Sequence, residues 1–160
     1  MVCERMVVAL VALAACVLIS APAMAADPPG SVDEIYQTDE WATEKHVPVI
    51  DCPDAFVPDQ MTEVVVQVGK EIEHPNTTEH HIAWIRLYFM PEGSPFAYEV
   101  GSYEFGGHGA SVDGPNTSTV YTNHKITTEF KTEVPGTLYA TSFCNIHGLW
   151  ESSKRIALAE

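Results

Sequence analysis

Basic residues are scarce in this chain. Its 160 residues hold 8 Lys and Arg against 22 Asp and Glu, a formal net charge of −14. So acidic a surface repels nucleic acid and anionic lipid, and neither is expected as a partner. Cysteine is scarce too. Of four in all, Cys3 and Cys16 fall in an N-terminal stretch that reads as a leader. The remaining Cys52 and Cys144 are too few for a four-thiolate iron or zinc centre. In an oxidising compartment the default reading of two such cysteines is a disulfide. No segment of helical length shows a 3.6-residue hydrophobic period. Internal repeats and low-complexity segments are lacking. Outside the leader, no apolar run is long enough to span a bilayer as a helix.

The leader reading rests on Met1 to Ala26. Met1–Arg5 carries one arginine, and Met6–Ser20 is almost wholly apolar. Ala23 and Ala25 fit signal-peptidase cleavage after Ala25. An apolar run of 15 residues is shorter than the roughly 20 that a spanning helix needs. Residues 1–25 are therefore expected to be a signal peptide, and the mature chain to be exported, in a periplasm where one exists. An uncleaved anchor and lipoprotein processing at Cys16 are the two competing readings. Residues 26–40, with Pro28, Pro29 and Gly30, read as a polar tail.

Residues 41–160 read as one domain of strands. Glu63–Gly69 is β-branched and alternating, and Ile82–Met90 is long, apolar and aromatic. Phe96–Phe105, Lys125–Thr132, Thr137–Phe143 and Arg155–Leu158 follow, separated by turn residues such as Asp113-Gly114-Pro115-Asn116. Short strands so punctuated predict an antiparallel β-sandwich of about seven strands. In the second strand Ala83, Ile85, Leu87 and Phe89 form an apolar face. If the strand runs regularly back to His80, that ring points away from the interior and any site there lies at the surface.

Seven histidines are the notable presence. Cys144-Asn145-Ile146-His147-Gly148 lets a thiolate and an imidazole converge on one metal, with Gly148 permitting a tight turn. His74 and His80-His81 flank a polar loop restricted by Pro75. Glu44-Lys45-His46 is a weaker third signal. Together they suggest one mononuclear site of sulfur and several nitrogens, which suits zinc, copper or iron. Copper electron transfer usually adds an axial Met near the Cys-His loop, and residues 148–153 contain none. Structural zinc would call for more thiolates.

The segments EKHVPVI (44–50), HPNTTEHHIAWI (74–85), GPNTS (114–118) and YATSFCNIHGLWE (139–151) resemble the one-iron superoxide reductases called neelaredoxins. They are also similar to the iron-binding domain of desulfoferrodoxin. The resemblance implies an immunoglobulin-like sandwich and a mononuclear iron cycling between Fe2+ and Fe3+. By motif position the metal ligands are His46, His74, His80 and His147 as equatorial imidazoles and Cys144 as the axial thiolate. His81 is then a non-ligand, and His108 and His124 receive no ligand role. Cys52 lies outside the motifs and is expected to stay free or buried.

The implied activity is one-electron reduction of superoxide to hydrogen peroxide at the position opposite the thiolate. Lys45 is expected to offer positive charge there, and Glu44 to ligate the resting ferric iron. Dismutase activity at the same iron and a cupredoxin-like electron carrier are the alternatives. Superoxide is the expected substrate and a rubredoxin-like or other small donor the expected electron source. Neelaredoxin-like proteins are often tetramers, so a homotetramer is expected as well.

Overall fold

The computed structural model describes residues 30–160, so the leader reading lies outside the described residues. Eight strands follow a short 3-10 turn at Val32–Ile35. They are β1 (Pro48–Asp51), β2 (Ala55–Phe56), β3 (Thr62–Val68), β4 (Ile82–Pro91), β5 (Tyr98–Glu104), β6 (Lys125–Phe130), β7 (Gly136–Cys144) and β8 (Gly148–Leu158). Two sheets result, one in the order β1-β3-β6 and one in the order β2-β8-β7-β4-β5. The expected sandwich is thus present with one strand more than the sequence suggested. Its pairings are antiparallel except for the two-residue contact of β2 with β8.

The alternation of side chains explains the layers. In β3, Val64, Val66 and Val68 are buried while Val65 and Gln67 are not. Ile85, Leu87 and Phe89 of β4 meet them from the other sheet, with Leu138 and Ala140 of β7, Ile156 of β8, Ile126 of β6 and Phe56 of β2 completing the core. Each such side chain removed from water contributes roughly 1.5–3 kcal/mol before entropy is counted. Strands β1 and β2 escaped the sequence reading because they are four and two residues long, too short to display a period. Strand β8 was read as starting at Arg155; it starts at Gly148, directly after the Cys144–His147 turn.

One irregularity decides where His80 goes. Ile82 pairs with Cys144 but Trp84 pairs with Phe143, so Ala83 is an extra residue in β4. Such a bulge reverses the alternation beyond it. Ile82, not Ala83, is therefore fully buried. His80, two residues earlier, falls on the interior side with it. The regular strand assumed from sequence does not reach His80, and the outward orientation expected for that ring is reversed.

Candidate metal centre

Three chain segments meet at one end of the sandwich. His46 sits just ahead of β1, His74 and His80 lie in the loop from β3 to β4, and Cys144 and His147 belong to the turn from β7 to β8. His46, His74 and Cys144 are buried, whereas His80 and His147 keep some exposure. The ligand atoms of His46, His74, His80 and Cys144 all lie within 4.8 Å of one another. His147 joins them: its Nδ1 is 3.0 Å from His46 Nε2 and 3.5 Å from Cys144 Sγ.

The four rings stand in a near-square. Ring centroids are 4.8 Å apart for His46–His74, 4.7 Å for His74–His80, 4.9 Å for His80–His147 and 4.6 Å for His147–His46. The diagonal from His46 to His80 is 6.2 Å. Neighbouring rings are steeply inclined, by 63° to 75°. The five sequence candidates for metal ligation are thus brought together around one point.

Local bonds aim the nitrogens. Glu44 Oε1 accepts from His46 Nδ1 at 2.5 Å and from the His46 backbone N–H at 3.1 Å. This puts the His46 proton on Nδ1 and turns the bare Nε2 toward His147. His74 Nδ1 donates to the Pro75 carbonyl at 2.7 Å, which fixes the same tautomer. The Trp150 ring stacks on His46 at 4.9 Å. Thr77 closes a tight turn on His80, its hydroxyl accepting the His80 N–H at 3.1 Å. Cys144 Sγ accepts the His147 backbone N–H at 3.4 Å. Gly148 has φ +81°, a conformation that L side chains rarely adopt, so glycine is required where the turn re-enters β8.

Burial favours the neutral form of three of these rings, His74, His46 and His80. It depresses His74 to about 3 against the pull of the Pro75 carbonyl. It holds His46 below the ordinary histidine range although Glu44 pulls the other way, and it lowers His80 as well. Burial alone would raise Glu44, but the bonds from His46 prevail and hold it below the usual carboxylate range. Neutral imidazoles with inward lone pairs are what a cation needs.

The chemistry of the donors fits a metal. His74 Nε2 and His80 Nε2 are buried and have no hydrogen-bond partner. Left bare, two such groups would cost about 1–3 kcal/mol each. A first-row ion binding nitrogen at about 2.1 Å would set neighbouring ligands at right angles about 3.0 Å apart. That is the separation of His46 Nε2 and His147 Nδ1.

The sequence model of the desulfoferrodoxin family matches residues 38–153. The chain belongs to the desulfoferrodoxin family. It is 61% identical over 125 residues to the neelaredoxin of Megalodesulfovibrio gigas, covering 78% of this chain and 96% of that one. It is 54% identical over 121 residues to the superoxide reductase of Pyrococcus furiosus, covering 76% and 95%. The structure of the superoxide reductase (neelaredoxin) of Archaeoglobus fulgidus in its reduced form is similar with a TM-score of 0.73 and 58% identity. That match covers 78% of this chain and all of the other.

The family motifs outside the cluster have structural work. His81 turns away: its Nδ1 bonds the Thr77 carbonyl and its ring stacks on His108 at 3.7 Å. His108 bonds Asn76 and the Phe105 carbonyl. Asn116 of the GPNTS segment, at φ 58°, accepts the Thr78 N–H at 2.9 Å and donates to Glu79. Asn145 ties the Cys-His turn to the 79–81 loop through three hydrogen bonds. His124 is buried edge-on to His74, 5.5 Å away. Trp150 and Asn145 lay inside the quoted motifs but received no role from sequence, because stacking and loop-to-loop bonds leave no spacing signal. Gln37 was missed altogether, and nothing in its polar surroundings could have marked it.

Proposed function

We propose that this chain reduces superoxide to hydrogen peroxide, with His46, His74, His80, His147 and Cys144 holding one iron. The observation that carries the reading is the square of four imidazoles gathered around a buried thiol. Held by these residues, a ferrous iron would supply the one electron that superoxide needs, and the Cys144 thiolate would make that electron easier to give. Superoxide takes that electron and two protons to become hydrogen peroxide, so each turnover also consumes an electron from outside. The relatives named superoxide reductase and neelaredoxin support the same assignment.

The residues around the square prepare it for an anion. A depression of about 380 Å³ is bordered by Thr43, Glu44, Lys45, His46, Ile72 and His147. A larger one, about 620 Å³, borders His124 and Glu73 instead. We place superoxide at the smaller because two of the five ligands border it. Lys45 there offers local positive charge in a chain of net −14. Screening reduces the long-range repulsion beyond about 8 Å at physiological salt, so the nearby lysine governs the last approach. Glu44 Oε1 orients His46 through its two bonds, and the same carboxylate would ligate a resting ferric iron.

A copper electron carrier fits less well. Among the described residues Met61 is exposed and Met90 pairs with Thr137, far along β4 from Cys144. Among the described residues no methionine is placed as an axial ligand. We further propose export after cleavage at Ala25, a small donor of rubredoxin type or its equivalent, and a homotetramer.

The test is superoxide turnover by the iron-loaded chain, with and without an electron donor, counting oxygen and peroxide. One peroxide per electron consumed with no oxygen evolved establishes the reductase. Half an oxygen per superoxide without any donor makes it a dismutase, and no turnover overturns both.

A further inference from the structure

The family match begins at residue 38, and the segment just ahead of it is bound to the ligand turn. Gln37 pairs in parallel with Trp150 on the free edge of β8. Its N–H donates to the Leu149 carbonyl at 3.0 Å, and its carbonyl accepts the Glu151 N–H at 2.9 Å. Its side chain goes further: Gln37 Nε2 donates to the carbonyl of His147 at 2.7 Å. Three bonds from one residue thus grip His147, at the end of the Cys-His turn, and Leu149 and Glu151 of the strand that follows it.

We propose that Gln37 is a positioning residue for the metal centre, holding the backbone of His147 and through it the ring that meets Cys144 Sγ. The reason lies in the turn itself. Between Cys144 and Gly148 the chain leaves the β7–β8 ladder, so residues 145–147 lack cross-strand partners. On one side Asn145 fastens this turn to the 79–81 loop. The His147 carbonyl, followed by Gly148 in the left-handed region, faces the other side, where the Gln37 amide is its hydrogen-bond donor. Two clamps, one on each flank, leave the Cys144 and His147 donor atoms one arrangement. Without the second clamp, the Cys144–Gly148 segment can fray from its His147 end. Because Gln37 is exposed at the sheet edge, its loss leaves the core intact.

This rests on the reading of His147 as an iron ligand. The test compares the iron-loaded chain with Gln37→Met, which keeps length and removes the donor, and Gln37→Arg, which restores a donor. Removing one neutral hydrogen bond should speed iron release to a chelator about fivefold in Gln37→Met. Amide exchange across residues 144–148 should rise and the sulfur-to-iron absorption band should shift. Gln37→Arg should restore all three toward the native values. Native release, exchange and absorption in Gln37→Met would overturn the proposal, as would failure of Gln37→Arg to restore them. His147→Ala separates the two levels. If it holds iron as tightly as the native chain, the ligand reading itself fails. If it releases iron while Gln37→Met does not, only the positioning role fails.

Discussion

The two cysteines occupy opposite ends of the same sandwich, and their surroundings have little in common. Cys144 is fully buried, accepts a backbone N–H, and lies among ligand atoms of His46, His74 and His80 that are all within 4.8 Å of one another and of its own Sγ, with His147 Nδ1 3.5 Å away. Cys52 is half-buried after β1, in a setting of Lys154, Asp51 and Asp54. Both are free. Gly148 pairs with Cys144, while Lys154 bonds the Cys52 carbonyl. Six residues of β8 separate those two anchor points, on the order of 20 Å. That is far beyond disulfide reach. The disulfide that two cysteines first suggest is excluded by geometry. A residue type becomes a ligand only where the chain turns other donors toward it.

The largest difference between the two ends should appear on removing each thiol. Cys144→Ser takes away the only sulfur in the cluster. Altering partners one shell out from a metal typically costs 10- to 100-fold, so replacing this ligand should lower superoxide turnover by at least about 100-fold. The sulfur-to-iron absorption should vanish while the far-ultraviolet β signature stays native. Turnover within tenfold of native would remove Cys144 from the centre and with it the contrast between the ends.

A second comparison uses two lysines that change the net charge equally. Lys45 borders the depression beside His46 and His147. Lys154 sits at the Cys52 end, paired with Asp54 at 2.9 Å. If local charge guides superoxide, Lys45→Ala should lower the second-order rate about two- to tenfold at low salt and flatten its salt dependence. Lys154→Ala should leave the rate unchanged. Equal slowing in both variants would mean that only net charge matters.

The contrast also shows what the sequence could display. The sandwich was legible because β3, β4, β6 and β7 are long enough to alternate visibly. The ligands were legible because Cys144 and His147 share one turn and His74 and His80 share one loop, so their spacings sit in short motifs. The orientation of His80 was not, because one extra residue at Ala83 leaves no mark in the hydrophobic pattern yet reverses the faces. Nor were the supports. Trp150 acts by stacking, Asn145 and Asn116 by bonds to a loop 37 to 66 residues away, and Gln37 by a bond across 110 residues. Contacts at such separations are set by topology rather than by local pattern.

The smallest expected effect belongs to Cys52, and it tests how separate the two ends are. Burial raises the Cys52 thiol above its ordinary value, and Lys154 only partly opposes this. The thiolate is the reactive form, so a raised value means less of it at any pH below the shifted midpoint. Alkylation of Cys52 in the native chain should therefore be slower than that of a free thiol at pH 8, and the two rates should converge as pH rises. Cys52→Ser should change stability by no more than about 1 kcal/mol, as a half-buried substitution of similar volume. Superoxide turnover should stay native, because the sandwich core lies between this thiol and the imidazoles. A loss of turnover in Cys52→Ser would show that the core transmits a disturbance from one end to the other. Faster alkylation than a free thiol would instead mean that Lys154 outweighs burial, giving the chain a second reactive sulfur where the packing argues for an inert one.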